Sequence, residues 1–510
     1  MRSLLSYYQP SNKTRLTDSG PHSSPIYNLN DDSLFLIFSS LSRPALLDGS
    51  EVDNNQLLAG GEWNREKWWY GLIKVCRRWR YILLGSASLL RLALVCARGT
   101  PVANMLKNAP QLPIIIDHVD QDYDITKEDE EGIILALGHH DRVRRIRLRK
   151  SVPILRRLVI ALDKEFPILE YLFIRSQEHV RPTIEPEMTF EFLKAFGAPQ
   201  VSHLLLMHFN ISIGSRLLAR SIVTLSLNLI PSSAYFHPHA LLDWLSSTPQ
   251  LEILGVIFNS PFLSRDDKRQ LSCTPRTTPV RLPNLRWLGF KGVSAYLEAL
   301  FSHVTIPPLE KLQVYFFNQL TYSVSHLQRS MGNFRPKTIT LSFRENFLNV
   351  RAYPFKGAKL YMLSMELSGR NLDWQVASAA QVFTALSAVS SAVEHLTLEY
   401  ARHNISPEWN NEADRTQWRD LLGSFGIVTT LFVDGKLARQ LSCSLQPNEE
   451  ESFTEILPAL LQPNEEQSLT EILPELQELL YSTMDAPLDV FTSFIHARQK
   501  AGRHVTMIRL

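Results

Sequence analysis

Apolar residues at helical spacing first appear between residues 29 and 41. Four of them lie three or four positions apart and would form one apolar stripe on a helix: Leu34, Ile37, Phe38 and Leu41. A second helical stretch, from about 68 to 84, carries three more at similar spacing: Val75, Cys76 and Trp79. Two short helices with such stripes cannot build a large core alone. The pattern therefore predicts a small docking module that completes its core on a partner.

A different pattern, helix followed by strand, recurs from residue 111 to the end of the chain. Its plainest copy has a helical segment at 241–245, a turn at 248–250, and a strand at 251–256 in which Leu251 and Ile253 are predicted to face inward. The unit is predicted to recur irregularly, about every 20 to 35 residues. Its other clear strand segments are 166–174, 282–288, 308–314, 392–398 and 473–479.

One such unit is too small to fold by itself. It buries about three or four apolar side chains, each contributing roughly 1.5–3 kcal/mol, whereas ordering about 25 residues costs more than that in conformational entropy. Stacked units are therefore required. The predicted fold class is α/β: a small helical head, then an irregular, leucine-rich-repeat-like helix–strand solenoid with a curved parallel sheet. A helical face at 491–498, Gly502 as its cap and a last strand at 505–508 fit the same plan.

Composition along the chain predicts three regions. Residues 1–24 are polar and indicate a flexible lead-in. Residues 25–110 form the helical head, with a polar insertion containing Gly and Asp at 43–66, and residues 111–510 form the solenoid. Within the solenoid, 445–476 is one segment repeated in tandem. The duplication predicts an exposed helical bulge, with an acidic docking site as the alternative.

Length, charge and cysteine content narrow the class of protein. The chain has 510 residues, 45% of them hydrophobic, which suits several domains or one elongated repeat domain. A formal net charge of +2 argues against nucleic acid or an anionic membrane as the main partner. The four cysteines are scattered, as in reduced intracellular proteins: Cys76, Cys96, Cys273 and Cys443. With no secretory signal and no membrane-spanning run evident, we expect a soluble protein of the cytoplasm, the nucleus or both.

Two motifs resemble metal sites but lack essential parts. Four acidic residues have EF-hand spacing, although Ile125 stands where that loop needs Gly: Asp120, Asp122, Asp124 and Glu131. Thr126 to Asp129 instead predicts the cap of a helix that runs through Leu137. Two histidine pairs, His139 with His140 and His237 with His239, have no cysteine or spaced carboxylate pair beside them. We therefore predict no metal, no cofactor and no catalytic residue.

The densest basic run lies between residues 142 and 150. Its members alternate irregularly with apolar residues: Arg142, Arg144, Arg145, Arg147, Arg149 and Lys150. The favoured interpretation is a strand whose arginines are solvated, and a patch for an acidic partner is the alternative. No aromatic residue stands between the arginines, which disfavours RNA.

The helical head resembles a known module. Residues 75–80, VCRRWR, are very similar to the second block of an F-box, which joins a receptor to the Skp-type adaptor of a cullin ubiquitin ligase. Leu29 stands where the F-box has the Leu of a Leu-Pro pair, although Asn30 replaces the Pro and Leu36 takes a position that is commonly polar. Longer segments resemble a large F-box family of mushroom-forming (basidiomycete) fungi: WWYGLIKVCRRWRYILLGSAS, RGTPVANMLKNAPQLPIIID and FTSFIHARQKAGRHVT.

This resemblance implies the substrate-recognition subunit of an SCF-type (Skp adaptor–cullin–F-box) E3 ubiquitin ligase, which is not itself an enzyme. Its partners would be the Skp-type adaptor, through it the cullin and RING subunits, and a protein substrate. The implied adaptor contacts are Leu29, Leu34, Ile37, Phe38, Leu41, Val75, Cys76 and Trp79. The alternative is a repeat protein that binds or senses other proteins without assembling a ligase. An enzyme remains a third hypothesis, because catalytic groups can assemble from distant segments.

Overall fold

The computed structural model describes the chain in twelve stretches: 29–42, 68–108, 111–119, 125–176, 196–207, 220–231, 235–259, 279–331, 334–400, 415–445, 472–482 and 490–510. The chain forms two compact units, Met1–Leu227 and Asn228–Leu510. The predicted lead-in, the insertion at 43–66 and nearly all of the duplicated segment lie outside the described residues.

The first unit starts with helices and continues as alternating strands and helices. Among the described residues of the helical head, three helices come first: α1 (Asp31–Ser42), α2 (Trp68–Leu72) and α3 (Arg77–Gly85). Five strands follow: β1 (Leu94–Ala97), β2 (Ile114–His118), β3 (Val143–Lys150), β4 (Tyr171–Ser176) and β5 (His203–Met207). The helices among them are α4 (Val102–Asn108), α5 (Lys127–Gly138) and α6 (Val152–Leu162). The division between the units falls within β6 (Thr224–Ile230).

Strands β1 to β5 pair in sequence order, and each pair is parallel. This confirms the α/β class with parallel strands. The sheet begins earlier than predicted, because Leu94 of β1 pairs with Ile114 of β2. Strand β1 has only four residues, which is too short for alternation to distinguish it from a turn of helix.

Helices cover one side of this sheet. Ile146 and Leu148 of β3 are fully buried, as are Ile133 of α5 and Leu158 of α6. Helix α5 packs against β1 and β2. It begins as predicted, because the Asp129 amide donates a 3.1 Å hydrogen bond to the hydroxyl of the N-cap residue Thr126. The side chains between the helix-facing ones lie on the opposite face of the sheet.

The second unit repeats this architecture over a longer stretch. The helices in its described stretches are α7 (Pro238–Leu245), α8 (Ser294–Phe301), α9 (Ser325–Ser330), α10 (Leu372–Ala385), α11 (Ser387–Ser390), α12 (Arg415–Gly423), α13 (Gly435–Leu445) and α14 (Thr492–Lys500). Its strands are β7 (Ile253–Phe258), β8 (Val280–Arg281), β9 (Trp287–Gly292), β10 (Val304–Thr305), β11 (Lys311–Phe316), β12 (Thr338–Phe343), β13 (Phe347–Tyr353), β14 (Leu363–Ser368), β15 (His395–Tyr400), β16 (Thr430–Val433), β17 (Glu478–Tyr481) and β18 (Thr506–Arg509).

Ten of these strands lie in the order β7-β9-β11-β14-β13-β12-β15-β16-β17-β18, and β8 pairs with β10 apart from them. Strand β13 is antiparallel to both β12 and β14, whereas the other pairs recorded in this order are parallel. The short connection between β12 and β13 permits a hairpin, which parallel strands cannot form. The sequence pattern did not predict this reversal.

Each predicted strand segment contains a strand, and that strand begins a few residues after the start of the predicted segment. They correspond to β4, β7, β9, β11, β15 and β17. In the plainest copy, Leu251 is fully buried but belongs to a turn, since its amide bonds to the carbonyl of Thr248. Alternation starts only within β7, so Leu254, Val256 and Phe258 are buried and Ile253 is half-buried on the other face. The prediction that Ile253 faces inward was wrong.

The chain end follows its prediction closely. Helix α14 carries the buried Phe494 and Arg498. Gly502 adopts a left-handed φ of 77°, and the next amide, of Arg503, bonds back to the carbonyl of Arg498 at 2.9 Å. Strand β18 then pairs with β17.

A buried carboxylate fixes the start of α9. Glu298 of α8, 8% exposed, accepts hydrogen bonds from the backbone amides of His326 and Leu327 at 2.8–3.0 Å. A negative charge stabilises these amides, which have no partner within the helix.

We expect Glu298→Ala to lower the free energy of unfolding by about 2–3 kcal/mol, because buried amides lose a charged acceptor. Glu310→Ala is the matched control, since the Glu310 side chain forms an exposed ion pair with Arg286 at 2.7 Å and its loss should change the free energy of unfolding little. Urea unfolding followed by circular dichroism measures both. Equal effects of the two substitutions would contradict the assigned role of Glu298.

Candidate functional site

Helix α1 of the helical head begins at a side-chain cap. The carboxamide oxygen of Asn30 accepts a hydrogen bond from the Ser33 amide at 2.8 Å. The backbone carbonyl of Asn30 accepts a second one from the Leu34 amide at 3.1 Å. Asp31 and Asp32 place negative charge in the first turn. Asn30 therefore has a clear local role at the position where the F-box pattern has Pro.

The second predicted helix is two helices. Residues 73–76 separate α2 from α3, and Cys76 has an extended backbone, with φ −157° and ψ 170°. Its Sγ accepts a hydrogen bond from the Trp79 amide at 3.4 Å, so Cys76 is the N-cap of α3. Val75 lies in the turn just before it. The prediction that Val75, Cys76 and Trp79 share one helical stripe was therefore wrong, since only Trp79 lies on a helix.

The predicted stripe on α1 divides into an inner and an outer row. Leu34 and Phe38 are 0% and 1% exposed. Phe38 packs edge-to-face on Trp79, with ring centroids 5.3 Å apart. The core around them also contains Trp69, Ile82, Leu83, Leu90, Leu92, Leu94 and Leu112. Leu34 and Phe38 are thus core residues of this chain, which corrects their prediction as adaptor contacts.

The outer row is exposed. Ile37 is 45% exposed and Leu41, one helical turn later, is 53% exposed. Val75, in the turn before α3, is 54% exposed. We call Ile37, Leu41 and Val75 the docking residues. The other three predicted contacts, Leu29, Cys76 and Trp79, are half-buried, and Leu29 and Trp79 pack against the core.

Two arginines of the VCRRWR segment hold the helical head together. Arg78 forms a 2.7 Å ion pair with Asp31 and donates to the carbonyl of Leu29 at 2.5 Å, which joins α3 to the start of α1. Arg80 donates to the carbonyl of Ile73 at 2.9 Å and closes the turn between α2 and α3. These basic residues therefore fix the geometry of the docking residues.

The helical head also packs against the start of the sheet. Leu94 of β1 and Leu112, just before β2, belong to the same core as Phe38. The Tyr70 hydroxyl accepts a 2.9 Å hydrogen bond from the Val95 amide. Burial is the main cause that raises the pKa of Tyr70. Since the head shares its core with the sheet, its own inner surface is satisfied within the first unit.

On the helix side of the same sheet, a thiol, an imidazole and a carboxylate interact. Burial and the charge of Asp129 raise the pKa of Cys96 to about 12. Burial, with Lys150 as a second cause, lowers the pKa of His118 to about 4. Asp129 accepts a hydrogen bond from the Gly99 amide at 2.8 Å. Both shifts favour neutral side chains, whereas a nucleophilic cysteine needs a stabilised thiolate.

Five of the six residues of the basic run lie on β3, and four of them are buried. Arg144, Arg147, Arg149 and Lys150 are all between 3% and 7% exposed. Strand β3 lies between β2 and β4, so its side chains are in the interior of the sheet and not at an edge. The favoured interpretation of a strand with solvated arginines was therefore wrong for these four residues, whereas Arg142 and Arg145 are half-buried.

Strand pairing brings further polar residues beside this run, and the sequence pattern did not predict them. Tyr171 of β4 lies opposite Arg145 of β3, and His203 of β5 lies opposite Tyr171. Arg175 lies opposite Arg149. Burial lowers the pKa of His203, and Arg145 adds to the effect. Each of these residues alternates with an apolar helix-side neighbour, and that alternation was the signal available in the sequence.

A second polar group lies in the second unit. Trp287 of β9 and Gln313 of β11 are 7% and 4% exposed, and both lie on the face opposite the helices. The Trp287 indole nitrogen and the Gln313 carboxamide oxygen are buried without a hydrogen-bond partner. The Trp287 ring lies over Gly289, where a Cβ atom would stand 2.8 Å from it. The sheet face opposite the helices therefore carries polar side chains in both units, and in the first unit it also carries buried apolar ones such as Phe173 and Leu205.

The candidate metal ligands either have structural roles or lie outside the described residues. Asp120, Asp122 and Asp124 are not among the described residues. The His140 ring bonds to the carbonyl of Glu165 at 2.7 Å. His237 caps α7 by accepting from the His239 amide at 3.3 Å. Within the described stretches, no three His, Cys, Asp or Glu residues form a group suited to a metal ion.

Together, the fold and these surfaces define a mixed α/β protein, with mostly parallel strands covered by helices and a helical head that exposes apolar residues. No protein-family model matches the chain, and comparison with curated proteins gives no match either. None of the helices in the described stretches combines the length and apolar character that crossing a bilayer requires.

We expect Phe38→Ala to destabilise the first unit by about 3–5 kcal/mol, because it leaves a cavity against Trp79. Ile37→Ala, the adjacent exposed position, should change stability by about 0.5 kcal/mol or less. Urea unfolding followed by tryptophan fluorescence measures both. A large loss for Ile37→Ala would show that the outer row is also part of the core.

Stability should also depend on pH through His118. Its pKa is about 4 in the folded chain, against 6.5 as the ordinary value, so the unfolded chain binds the proton more readily. The free energy of unfolding is therefore highest above pH 6.5. It falls by on the order of 3 kcal/mol as the pH drops towards 4, because the unfolded chain gains the proton first. His118→Gln should flatten the dependence between pH 6.5 and 4.5 in urea unfolding. An unchanged slope would contradict the burial of a neutral His118.

Proposed function

We propose that the chain is the substrate-recognition subunit of an SCF-type E3 ubiquitin ligase. In this proposal the helical head acts as an F-box and docks on a Skp-type adaptor, which links it to the cullin and RING subunits. The remaining helix–strand region acts as a leucine-rich-repeat-like solenoid that binds a protein substrate. The protein would act in the cytoplasm, the nucleus or both.

The exposure of the docking residues carries this proposal. Ile37, Leu41 and Val75 are each 45% to 54% exposed, although they lie beside a core that is complete within the first unit. Burying such side chains on a partner contributes roughly 1.5–3 kcal/mol each. Exposed apolar residues on a rigid surface indicate an interaction site. The resemblance of residues 75–80 to an F-box indicates which partner covers them.

The rigidity of the helical head supports the same role. Asn30 and Cys76 cap the two helices, and Arg78 joins α3 to the start of α1. The docking residues are therefore held in place before a partner binds, which lowers the entropic cost of association. A preorganised head suits a receptor whose function is to hold a second protein at a defined distance.

The chain itself would perform no chemistry in this mechanism. Tethering a substrate beside a recruited ubiquitin-conjugating enzyme raises the effective concentration of its lysines near the reactive thioester. The sheet faces opposite the helices are the surfaces we assign to the substrate. They present charged and aromatic side chains on regular strands, such as Arg145 and Tyr171 in the first unit and Lys291 in the second.

We expect the double variant Ile37→Asp with Val75→Asp to lose binding to a Skp-type adaptor, because two charges would have to be buried in an apolar contact. The Kd for the adaptor, measured by surface plasmon resonance, should rise more than tenfold. Ile160→Asp is the matched control, since Ile160 is an apolar residue on α6 that is 76% exposed. Circular dichroism checks that each variant stays folded.

Two outcomes would contradict this account. If the folded double variant binds the adaptor as tightly as the wild-type chain, the docking residues are wrongly assigned. If the wild-type chain does not bind the adaptor at all, the alternative of a binding or sensing scaffold without a ligase replaces the proposal.

A further inference from the structure

Arg149 and Arg175 lie side by side on the sheet of the first unit. They are register partners on β3 and β4, and neighbouring strands are about 4.8 Å apart. Alternation places both on the face opposite the buried Leu148 and Ile174. Like charges directly opposite each other destabilise a sheet, so this pair needs a physical explanation.

Neither guanidinium group has a counter-ion among the described residues. Arg149 is 7% exposed, and its Nε and Nη1 atoms are buried without a hydrogen-bond partner. The Nε atom of Arg175 is buried and unpaired in the same way. Burial, and next the charge of Arg149, lower the pKa of Arg175. A buried, unpaired charge is costly to a folded protein unless a ligand compensates it.

The neighbouring arginine has a different environment. Arg147 lies opposite Asp117 of β2, and its guanidinium carbon is 5.8 Å from the centre of the Phe173 ring. Pairing with β2 ends where His118 meets Leu148, so Arg149 has no register partner on that strand. The positive charge of Arg149 and Arg175 is therefore concentrated at the carboxyl edge of parallel strands, which is where ligands of open α/β sheets commonly bind.

We propose that Arg149 and Arg175 bind a tetrahedral oxyanion, namely a phosphoryl group. Two guanidinium groups offer forked donors and two positive charges. A phosphoryl group carries a charge of about −1.5 to −2 at pH 7, which matches this pair better than a single carboxylate does. The inference concerns β3 and β4, so it stands whether or not the helical head docks on an adaptor.

The first experiment titrates the full-length chain with inorganic phosphate. Isothermal titration calorimetry gives the Kd, with chloride balancing the ionic strength throughout. We expect saturable binding to the wild-type chain. The double variant Arg149→Met with Arg175→Met should bind phosphate at least tenfold more weakly. Arg156→Met is the matched control, because Arg156 is exposed on α6, and it should bind phosphate as the wild-type chain does.

Thermal unfolding without phosphate separates a binding role from a structural one. If the arginines serve a ligand, replacing them with Met removes unpaired charge while it keeps the aliphatic stem. The melting temperature of the double variant should then equal or exceed that of the wild-type chain. A lower melting temperature would assign the pair a structural role and overturn the proposal. Arg149→Lys is a second, milder test, because it keeps the charge but loses the forked donors of the guanidinium group. It should bind phosphate more weakly than the wild-type chain, and an unchanged phosphate affinity would contradict the assigned role of Arg149.

Two small probes identify the source of the phosphoryl group. N-acetyl phosphoserine amide that binds more tightly than inorganic phosphate would indicate a phosphorylated protein, whereas equal affinities would indicate free phosphate. N-acetyl aspartate amide should bind at least tenfold more weakly than the phosphoserine probe. The proposal is overturned if the wild-type chain shows no saturable phosphate binding, or if the aspartate probe matches the phosphoserine probe.

Discussion

Burial of alternate strand residues beneath helices is the constraint on which the rest of this structure depends. A strand such as β3 presents Ile146 and Leu148 to the helices, and Arg145, Arg147 and Arg149 to the other face. Because one helix and one strand bury too little to offset the entropy of ordering them, neighbouring units must supply the remaining contacts. Strands are buried beneath helices in this way in both compact units. The helical head packs against the sheet of the first unit through a shared core that includes Leu94 and Leu112.

The fold was predictable wherever periodicity carries the information. The α/β class, the parallel strands, the cap at Thr126 and the closing unit with Gly502 all follow from local patterns. The reversal of β13 does not, because alternation is the same for parallel and antiparallel strands. The break before α3 was also missed, since Cys76 caps the helix through a sulfur atom and is a weak sequence signal of a helix start.

The candidate site was predictable only in part, because periodicity finds an apolar face but not its depth. Leu34 and Ile37 lie on the same broad stripe, yet tertiary packing buries the first and leaves the second exposed. For the arginines of β3, the sequence predicted exposure where the structure shows burial. Charged residues are usually exposed, and only the register with β4 brings Arg149 beside Arg175. Long-range pairing, which a single sequence does not reveal, decides both cases.

The proposed function requires that a Skp-type adaptor cover the outer row of the helical head. Hydrogen–deuterium exchange of the full-length chain, with and without the adaptor, tests it most directly. The account predicts slower exchange in peptides that cover Asp31–Ser42 and residues 73–79, with the strands of the second unit unchanged. Slower exchange confined to other segments, or no change on adding adaptor at saturating concentration, would contradict it.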